Sequence, residues 1–375
     1  MKRISCILAI ITSLLILPRL NAQNDSVPLL STLRMEVRAD FEYHHLMTSS
    51  SAMPITHNDD IYGFQGRYFN IHVGGNFTKS LSYYFRQRIV ANPGSNSFFD
   101  NTDFLYLNYQ INKNWSVRAG KEALAVGGFE YDAPPIDVLF WSYYWDNFYC
   151  FQLAAGVKFQ SNDGKNAIIA QVGNSPYLHY GSPFKNSLLS YNLFWSGDFG
   201  PFHTLYSFNM FQRDKQGHFM NYIALGNKLA FDRWDIYVDF IHRTTSPKRI
   251  MKDFGVIACA NFYINPYFNL FIKGAYEQNR DQVEYNNFLQ TGEIWDCLSL
   301  PGQTYTYGGL GFEYRPKRCT DIRIHGFVAD FVTQNQQNEN QTPAGKEYWA
   351  NHNLTANVGL SWFIDIMKYI NKKVK

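Results

Sequence analysis

The sequence contains little cysteine and no surplus of charge of either sign. Five of its 375 residues are cysteine, and none has a Cys-x-x-Cys or Cys/His spacing. This pattern favours isolated thiols over a disulfide framework or a metal site. The 34 basic residues exceed the 31 acidic residues by only three. A nucleic-acid partner, which requires a basic surface, therefore has no support.

Long apolar runs are also missing once the first residues are set aside. Lys2 and Arg3 precede the apolar stretch 4–18, and Leu20-Asn21-Ala22 ends on a small residue. The pattern predicts a secretory signal peptide over 1–22, because the stretch is short for a membrane span. A retained N-terminal anchor is the alternative. The mature chain, 23–375, has no apolar run that could form a transmembrane helix.

The mature chain is balanced in charge and rich in aromatic residues. Loss of Lys2, Arg3 and Arg19 with the signal leaves 31 basic and 31 acidic residues. Aromatic residues make up 17% of the sequence, although its mean hydropathy is −0.30. A secreted, aromatic-rich chain without a membrane helix suggests an all-β barrel in the outer membrane of a Gram-negative bacterium.

The first mature strand shows the alternation that such a barrel requires. Side chains of a strand point to opposite faces with a period of two. One face is apolar, and the other is almost wholly charged. The apolar face carries Leu33, Met35, Val37, Ala39, Phe41 and Tyr43, and the polar face Arg34, Glu36, Arg38, Asp40, Glu42 and His44. A soluble β-sandwich also alternates in this way, so the connections must decide.

Short and long connections alternate along the chain, seven short and eight long, which predicts sixteen strands. Outer-membrane barrels have short periplasmic turns and long outer loops. The predicted short turns are 78–80, 112–114, 161–165, 198–201, 232–233, 265–267 and 315–320. The predicted loops are 47–65, 92–102, 123–146, 175–187, 213–219, 244–253, 279–303 and 333–351. Strand 1 (about 32–46) must pair with strand 16 (about 353–363), since hydrocarbon tolerates no open sheet edge.

Nine aromatic residues near the short turns, or at the end of the last strand, share the outward parity. Amphipathic rings favour the headgroup level of a membrane. They are Phe77, Trp115, Phe159, Trp195, Trp234, Phe262, Phe268, Tyr314 and Trp362. This girdle favours an antiparallel up-and-down transmembrane barrel, with a water-filled lumen at sixteen strands.

The lumen parity carries most of the charged strand residues. The predicted basic positions are Arg34, Arg38, Arg86, Arg88, Arg118, Lys158, Arg243, Lys273 and Arg323. The predicted acidic positions are Glu36, Asp40, Glu42, Glu122, Asp235, Asp239 and Glu277. We expect Arg86, Arg88 and Arg118 to lack an alternating acid on their own strands and so to form an anion-attracting wall. The alternative is a set of solvated charges balanced across the pore.

The 123–146 segment is unusually apolar and aromatic for an exposed loop. Gly127-Gly128 and Pro134-Pro135 mark bends in it, and it also carries Glu130, Asp132 and Asp137. We predict that it folds into the lumen and narrows the pore. An external cap packed on neighbouring loops is the alternative.

Two stretches around this segment resemble a known family. Leu105-x-Leu-Asn-Tyr and Trp115-Ser-Val-Arg-Ala-Gly-Lys121, followed by Gly127-Gly-Phe-Glu-Tyr-Asp132, resemble the phosphate-selective porin O and P family. The resemblance implies a diffusion channel, anion-selective in some members, with Arg118 and Lys121 at matching positions. The chain departs from the usual aromatic end, because Ile364 to Lys375 follow Phe363.

The expected function is passive diffusion of small hydrophilic solutes, with a mild preference for anions or phosphate. We expect no cofactor, no metal and no catalytic site, because no Gly-x-Ser-x-Gly elbow or paired Ser/His arrangement is present. The expected partners are outer-membrane lipid, the barrel-assembly machinery and small hydrophilic or anionic solutes, with a homotrimer as one assembly. A non-transporting barrel with a binding or structural role is the alternative.

Overall fold

The fold is described from a computed structural model. It covers residues 27–50, 57–89, 99–177, 188–213, 216–245, 251–280, 302–335 and 349–373. The predicted signal peptide, the thiol of Cys297 and parts of the predicted long loops lie outside these residues. Within them Cys150, Cys259 and Cys319 are free thiols.

Sixteen strands and three short helices make up the described chain. The strands are β1 (Thr32–Ser50), β2 (His57–Asn76), β3 (Leu81–Arg88), β4 (Thr102–Gln110), β5 (Trp115–Ala123), β6 (Phe151–Gln160), β7 (Asn166–Asn174), β8 (Leu189–Phe199), β9 (Phe202–Gln212), β10 (Phe219–Ala230), β11 (Trp234–Thr244), β12 (Asp253–Asn265), β13 (Phe268–Asn279), β14 (Gln303–Tyr314), β15 (Ile322–Asn335) and β16 (Trp349–Asp365). The helices are α1 (Phe129–Asp132), α2 (Tyr143–Asp146) and α3 (Ile366–Lys373).

Each strand pairs with its sequence neighbours, and the ring closes through β1 and β16. Their antiparallel register runs from Arg34 opposite Asp365 to Ser50 opposite Trp349. The predicted sixteen strands and their closure are confirmed. Both terminal strands extend further than predicted, because their backbone partners continue to pair beyond the apolar stretch. The prediction of a loop over 47–65 is therefore wrong at 47–50, which belongs to β1, and at 57–65, which belongs to β2.

The outer face of the barrel is apolar. Leu105, Leu107 and Tyr109 alternate along β4 with inward-facing residues and are about half exposed, as lipid-facing side chains are in an isolated chain. None of the nine predicted girdle residues is buried. Six of them are among the exposed large hydrophobic residues: Phe77, Trp115, Trp234, Phe262, Tyr314 and Trp362. Strand alternation therefore places them on the membrane side.

The interior differs from the predicted water-filled lumen. A large cluster of buried hydrophobic residues lies inside the barrel. Strand residues such as Phe211, Met220, Tyr222, Ile241 and Ile257 contribute to it. Contact of apolar side chains with water is unfavourable, so these residues need apolar partners. Their partners come from the connection between β5 and β6.

The structure continues beyond Phe363, where the last strand was predicted to end. The last strand continues to Asp365, and α3 follows. Ile366 and Met367 of α3 pack against a small buried cluster of Leu30, Leu33 and Val73. In the described residues, no helix has both the length and the apolar character needed to cross a membrane.

The turns after the even-numbered strands lie at one end of the ring, and the connections after the odd-numbered strands, which include the longest ones, lie at the other. We therefore expect only the long-loop end to be reachable from outside the cell. Single cysteines at Lys113, in the β4–β5 turn, and at Gln216, between β9 and β10, test this in a background without native thiols. An impermeant thiol reagent applied to intact cells should label the Gln216 site only. Labelling confined to the Lys113 site would invert the assignment.

Candidate functional site

The connection between β5 and β6, residues 124–150, is here called the inner segment. It forms hydrogen bonds with side chains on β7, β9, β11, β13, β15 and β1. Gln171 of β7 accepts from Ala125 N at 2.9 Å, and Asp239 of β11 accepts from Phe129 N at 2.8 Å. Arg38 of β1 donates to the carbonyl of Val138 at 2.9 Å. A segment that bonds to strands on so wide an arc of the ring lies inside the barrel.

Two carboxylates of the barrel wall cap the two helices of the inner segment. Asp239 accepts from the first backbone amides of α1, Phe129 N at 2.8 Å and Glu130 N at 2.9 Å. Glu277 of β13 accepts from the first amides of α2, Tyr143 N at 2.9 Å and Tyr144 N at 2.8 Å. The first amides of a helix have no partner within it and favour negative charge. Each acid therefore fixes the start of one helix.

Two basic residues of the wall hold the stretch between the helices. Lys273 of β13 donates to Glu130 Oε1 at 2.8 Å, and the same oxygen accepts from Ser142 N at 2.7 Å. Arg323 of β15 pairs with Asp137 at 2.6 Å and also donates to the carbonyl of Ile136. Both cations are almost fully buried. They are therefore bound to protein groups and are not solvated lumen charges.

Gly127 and Gly128 allow the inner segment to approach the wall closely. A Cβ on Gly127 would lie 2.5 Å from the carbonyl oxygen of Leu205, on β9. Gly128 precedes α1 with a φ of 113°, in a region that side chains rarely adopt. The pair thus lets the backbone turn directly against β9 and present its amides to Asp239.

Aromatic side chains of the inner segment also pack against aromatic side chains of the barrel wall. Phe140 lies 4.8 Å from the ring of Phe327 and 5.6 Å from that of Tyr307. Tyr143 stacks on Tyr305 with ring centroids 3.7 Å apart. Burial of large aromatic side chains is a major source of stability. The inner segment is therefore a packed part of the interior, on the side of the ring from β7 through β15 to β1.

The accessible basic residues lie mainly on the remaining wall, from β1 to β6. Arg34 is exposed at one end of β1, Arg88 of β3 is exposed, and Arg118 of β5 and Lys158 of β6 are half-buried. The other predicted lumen cations are buried; they are Arg38, Arg86, Arg243, Lys273 and Arg323. The predicted lumen cations that solvent can reach thus all lie between β1 and β6, whereas Lys228 of β10, over the ring of Phe129, is a partly exposed basic residue on the other side.

Arg86 and Arg88 have no acidic residue on β3, as predicted, but the prediction that Arg118 has none on β5 is wrong, and each of the three pairs with an acid. Asp103, at the start of β4, lies 2.9 Å from Arg86 and 2.7 Å from Arg88. Arg118 pairs with Glu122 at 3.3 Å, four residues along the same strand. The pairing across β3 and β4 depends on a bulge after Arg86, which strand parity alone does not reveal.

Lys121 does not share the lumen face of Arg118. Its Cα pairs with Leu105, an outward-facing residue, whereas Arg118 pairs with Asn108. Alternation therefore places Lys121 and Arg118 on opposite faces of β5. The ammonium of Lys121 donates to the carbonyl of Phe99 at 2.6 Å and lies over the ring of the same residue.

The inner segment presents acidic groups to the remaining space. Asp132 and Asp146 are exposed, whereas Glu130 is fully buried, and Asp137 is tied to Arg323. Desolvation inside the barrel raises the pKa of the Asp146 carboxyl, and the guanidinium of Arg67 on β2 opposes this shift. Desolvation also raises the pKa of Asp132. Asp146 thus lies within electrostatic reach of β2, on the side of the ring that carries the accessible arginines.

Cys150, the last residue of the inner segment, is a half-buried free cysteine. Burial raises the pKa of its thiol to about 12. A thiol in this state is a poor nucleophile and a poor metal ligand. The described residues contain no group of three His, Cys, Asp or Glu side chains arranged to hold a metal ion.

Comparison with known families matches residues 37–246 to the family described as phosphate-selective porin O and P. This match covers more than half of the 375 residues. The chain belongs to this family. It is therefore an outer-membrane porin, and its function is that of a channel. The resemblance stated from the 105–132 region is confirmed.

Solved structures share the fold of this porin at low sequence identity. The anion-selective porin from Comamonas acidovorans has a TM-score of 0.59 and 11% identity, over 90% of this chain and 99% of that one. A loop-deletion variant of OmpT, an outer-membrane protein of Vibrio cholerae, has a TM-score of 0.56 and 10% identity, over 90% and 100%. In-vitro folded OmpT in its trimer form has a TM-score of 0.50 and 9% identity, over 88% and 99%. A comparison with curated protein sequences finds no significant match.

The capping role of Asp239 and Glu277 was missed by the sequence analysis, which placed them only on the lumen face. A signal was present in the strands that carry them. On the lumen parity of β11, Tyr237 and Ile241 alternate with Asp239 and Arg243. Apolar residues on a face predicted to meet water indicate that protein covers it.

Removing the two capping charges should loosen the inner segment. The double variant Asp239→Asn/Glu277→Gln keeps the side-chain shapes but weakens charge-assisted hydrogen bonds, each worth about 1.5–3 kcal/mol. We expect higher single-channel conductance with more open-channel noise, and faster chymotrypsin cleavage within 124–150. The matched control is Asp235→Asn on β11, since Asp235 bonds to Tyr263 and Asn261 and not to the inner segment. Unchanged conductance and cleavage in the double variant would contradict the capping role.

Proposed function

We propose that small hydrophilic solutes cross this channel between the inner segment and the wall formed by β1 to β6, with a mild preference for anions. The inner segment acts as the constriction, with Gly128 setting its path and Glu130 and Asp137 holding it in place. Arg34, Arg88 and Arg118 line the passage, together with Lys158. The proposal is carried by one observation. The accessible arginines lie on one side of the ring, and the inner segment is attached to the wall of the other side.

The electrostatics favour a weak rather than a strong selectivity. A cleft with low-dielectric walls and clustered charge of one sign concentrates the opposite ion. Asp103 and Glu122 neutralise part of this cluster, and Asp146 of the inner segment interacts with Arg67 on the same wall. The formal charge of the whole chain is only +3. Any preference for anions must therefore arise locally.

Phosphate selectivity has less support than a general anion preference. Phosphate is best bound by guanidinium N–H groups that converge in one plane. Arg86 already donates its Nε to Asp103 at 2.9 Å and is buried. Lys121 lies on the opposite face of β5 from Arg118. The residues expected from the family resemblance are thus not assembled around one anion.

We also propose a homotrimer in outer-membrane lipid, inserted by the barrel-assembly machinery. OmpT, which shares the fold, occurs in a trimer form. The exposed apolar wall of this chain supplies a surface that lipid or a second copy can cover. An enzyme is not proposed, because the family and the fold are those of a channel.

Charge reversal at Arg118 tests the selectivity. In planar bilayers with asymmetric potassium chloride, Arg118→Glu should move the reversal potential towards cation selectivity, because it places two carboxylates at one point of the passage. The matched control, Arg233→Glu, makes the same change in the exposed turn before β11 and should have a much smaller effect at 0.15 M salt, where charges are screened beyond about 8 Å. Equal reversal potentials for wild type and Arg118→Glu would show that Arg118 does not line the narrow passage. A barrel that conducts no ions would favour a binding role instead.

A further inference from the structure

Two accessible arginines of the β1–β6 wall lie over aromatic rings. The guanidinium of Arg118 lies over the ring of Tyr106, with its carbon 4.4 Å from the centroid. That of Arg88 lies over Phe151 at 5.5 Å. A ring beneath a guanidinium covers one of its two faces and restrains its orientation. Each group is therefore oriented before any solute arrives.

The edges of these guanidinium groups are partly taken by carboxylates. Arg118 uses Nη1 for Glu122, and Arg88 uses Nη2 for Asp103. Even so, the side chains of Arg118 and Arg88 remain 42% and 46% exposed. With one face over a ring and part of the edge on an acid, the other face is the part of each guanidinium that a solute can approach.

An open guanidinium face and a free guanidinium edge recognise different solutes. In-plane N–H groups bind the oxygens of phosphate or carboxylate in pairs. The face, by contrast, stacks on planar π-systems and combines cation–π attraction with dispersion. Arginines whose edges bind acids and whose faces are open therefore favour planar anions over non-planar ones.

We propose that Arg88 and Arg118 form a stacking track that favours planar aromatic carboxylates over saturated carboxylates of the same charge. This inference rests on the proposed function, because it requires solutes to pass along the β1–β6 wall. The solute enters with its ring parallel to the guanidinium planes. Its carboxylate gains from the positive charge without needing a bidentate site.

Benzoate and cyclohexanecarboxylate are suitable probes, since both carry one carboxylate on a six-membered ring and only benzoate has a π-face. Reversal potentials under bi-ionic conditions give their permeability ratio in the full-length channel. For the wild type we expect benzoate to be favoured about two- to fivefold, the range expected for one exposed cation–π contact. The extent to which each carboxylate reduces the chloride current of the wild-type channel provides a second measurement.

The variants Arg88→Lys and Arg118→Lys, singly and combined, keep the charge and remove the planar group. We expect the benzoate preference to fall towards unity in the double variant, because the lysine ammonium has no planar face on which a ring can stack. Arg233→Lys, in the turn before β11, is the matched control and should keep the wild-type preference.

Three results would overturn the inference. A wild-type channel that prefers chloride to potassium but does not distinguish the two carboxylates would overturn the stacking track alone. A benzoate preference that persists in the double variant would remove these arginines from it. A barrel without conductance would overturn both the track and the proposed function.

Discussion

Backbone hydrogen bonding in hydrocarbon is the constraint on which the rest of this structure depends. Because lipid offers no partner for an unpaired N–H or C=O, the sheet must close, and the pairing of β1 with β16 closes it. Sixteen strands make the ring too wide for inward side chains to fill by themselves. The interior must therefore hold either water or another part of the chain. In this protein one side of the ring holds the inner segment.

The inner segment divides the interior into two chemically different halves. From β7 through β15, and at Arg38 of β1, the wall charges that bind the segment are buried, as Asp239 and Glu277 are at its helix starts. Between β2 and β6 the same kind of charged residue remains accessible to solvent, as in Arg88 and Arg118. Burial, rather than residue type, thus separates structural charges from charges that can meet a solute.

The accessible charges are themselves restrained by their surroundings. Aromatic rings lie beneath Arg88 and Arg118, and the acids Asp103 and Glu122 neutralise part of their charge. The guanidinium groups are therefore restrained in orientation, and the net positive charge around them is small. A passage of this kind fits a channel that discriminates mildly among many solutes, because no single site holds one anion tightly.

The barrel, its strand number, its girdle and its family follow from the sequence, because alternation, connection length and the motifs around 105–132 are local properties of the chain. Tertiary structure alone decided which charges are buried, since this depends on where the segment after β5 packs. Parity placed Asp239 on the lumen face but could not reveal the amides it caps. Nor could it bring Asp103 to Arg88, because a bulge and a neighbouring strand make that pair. Lys121, beside Arg118 in a family motif, faces the other way because successive strand residues alternate.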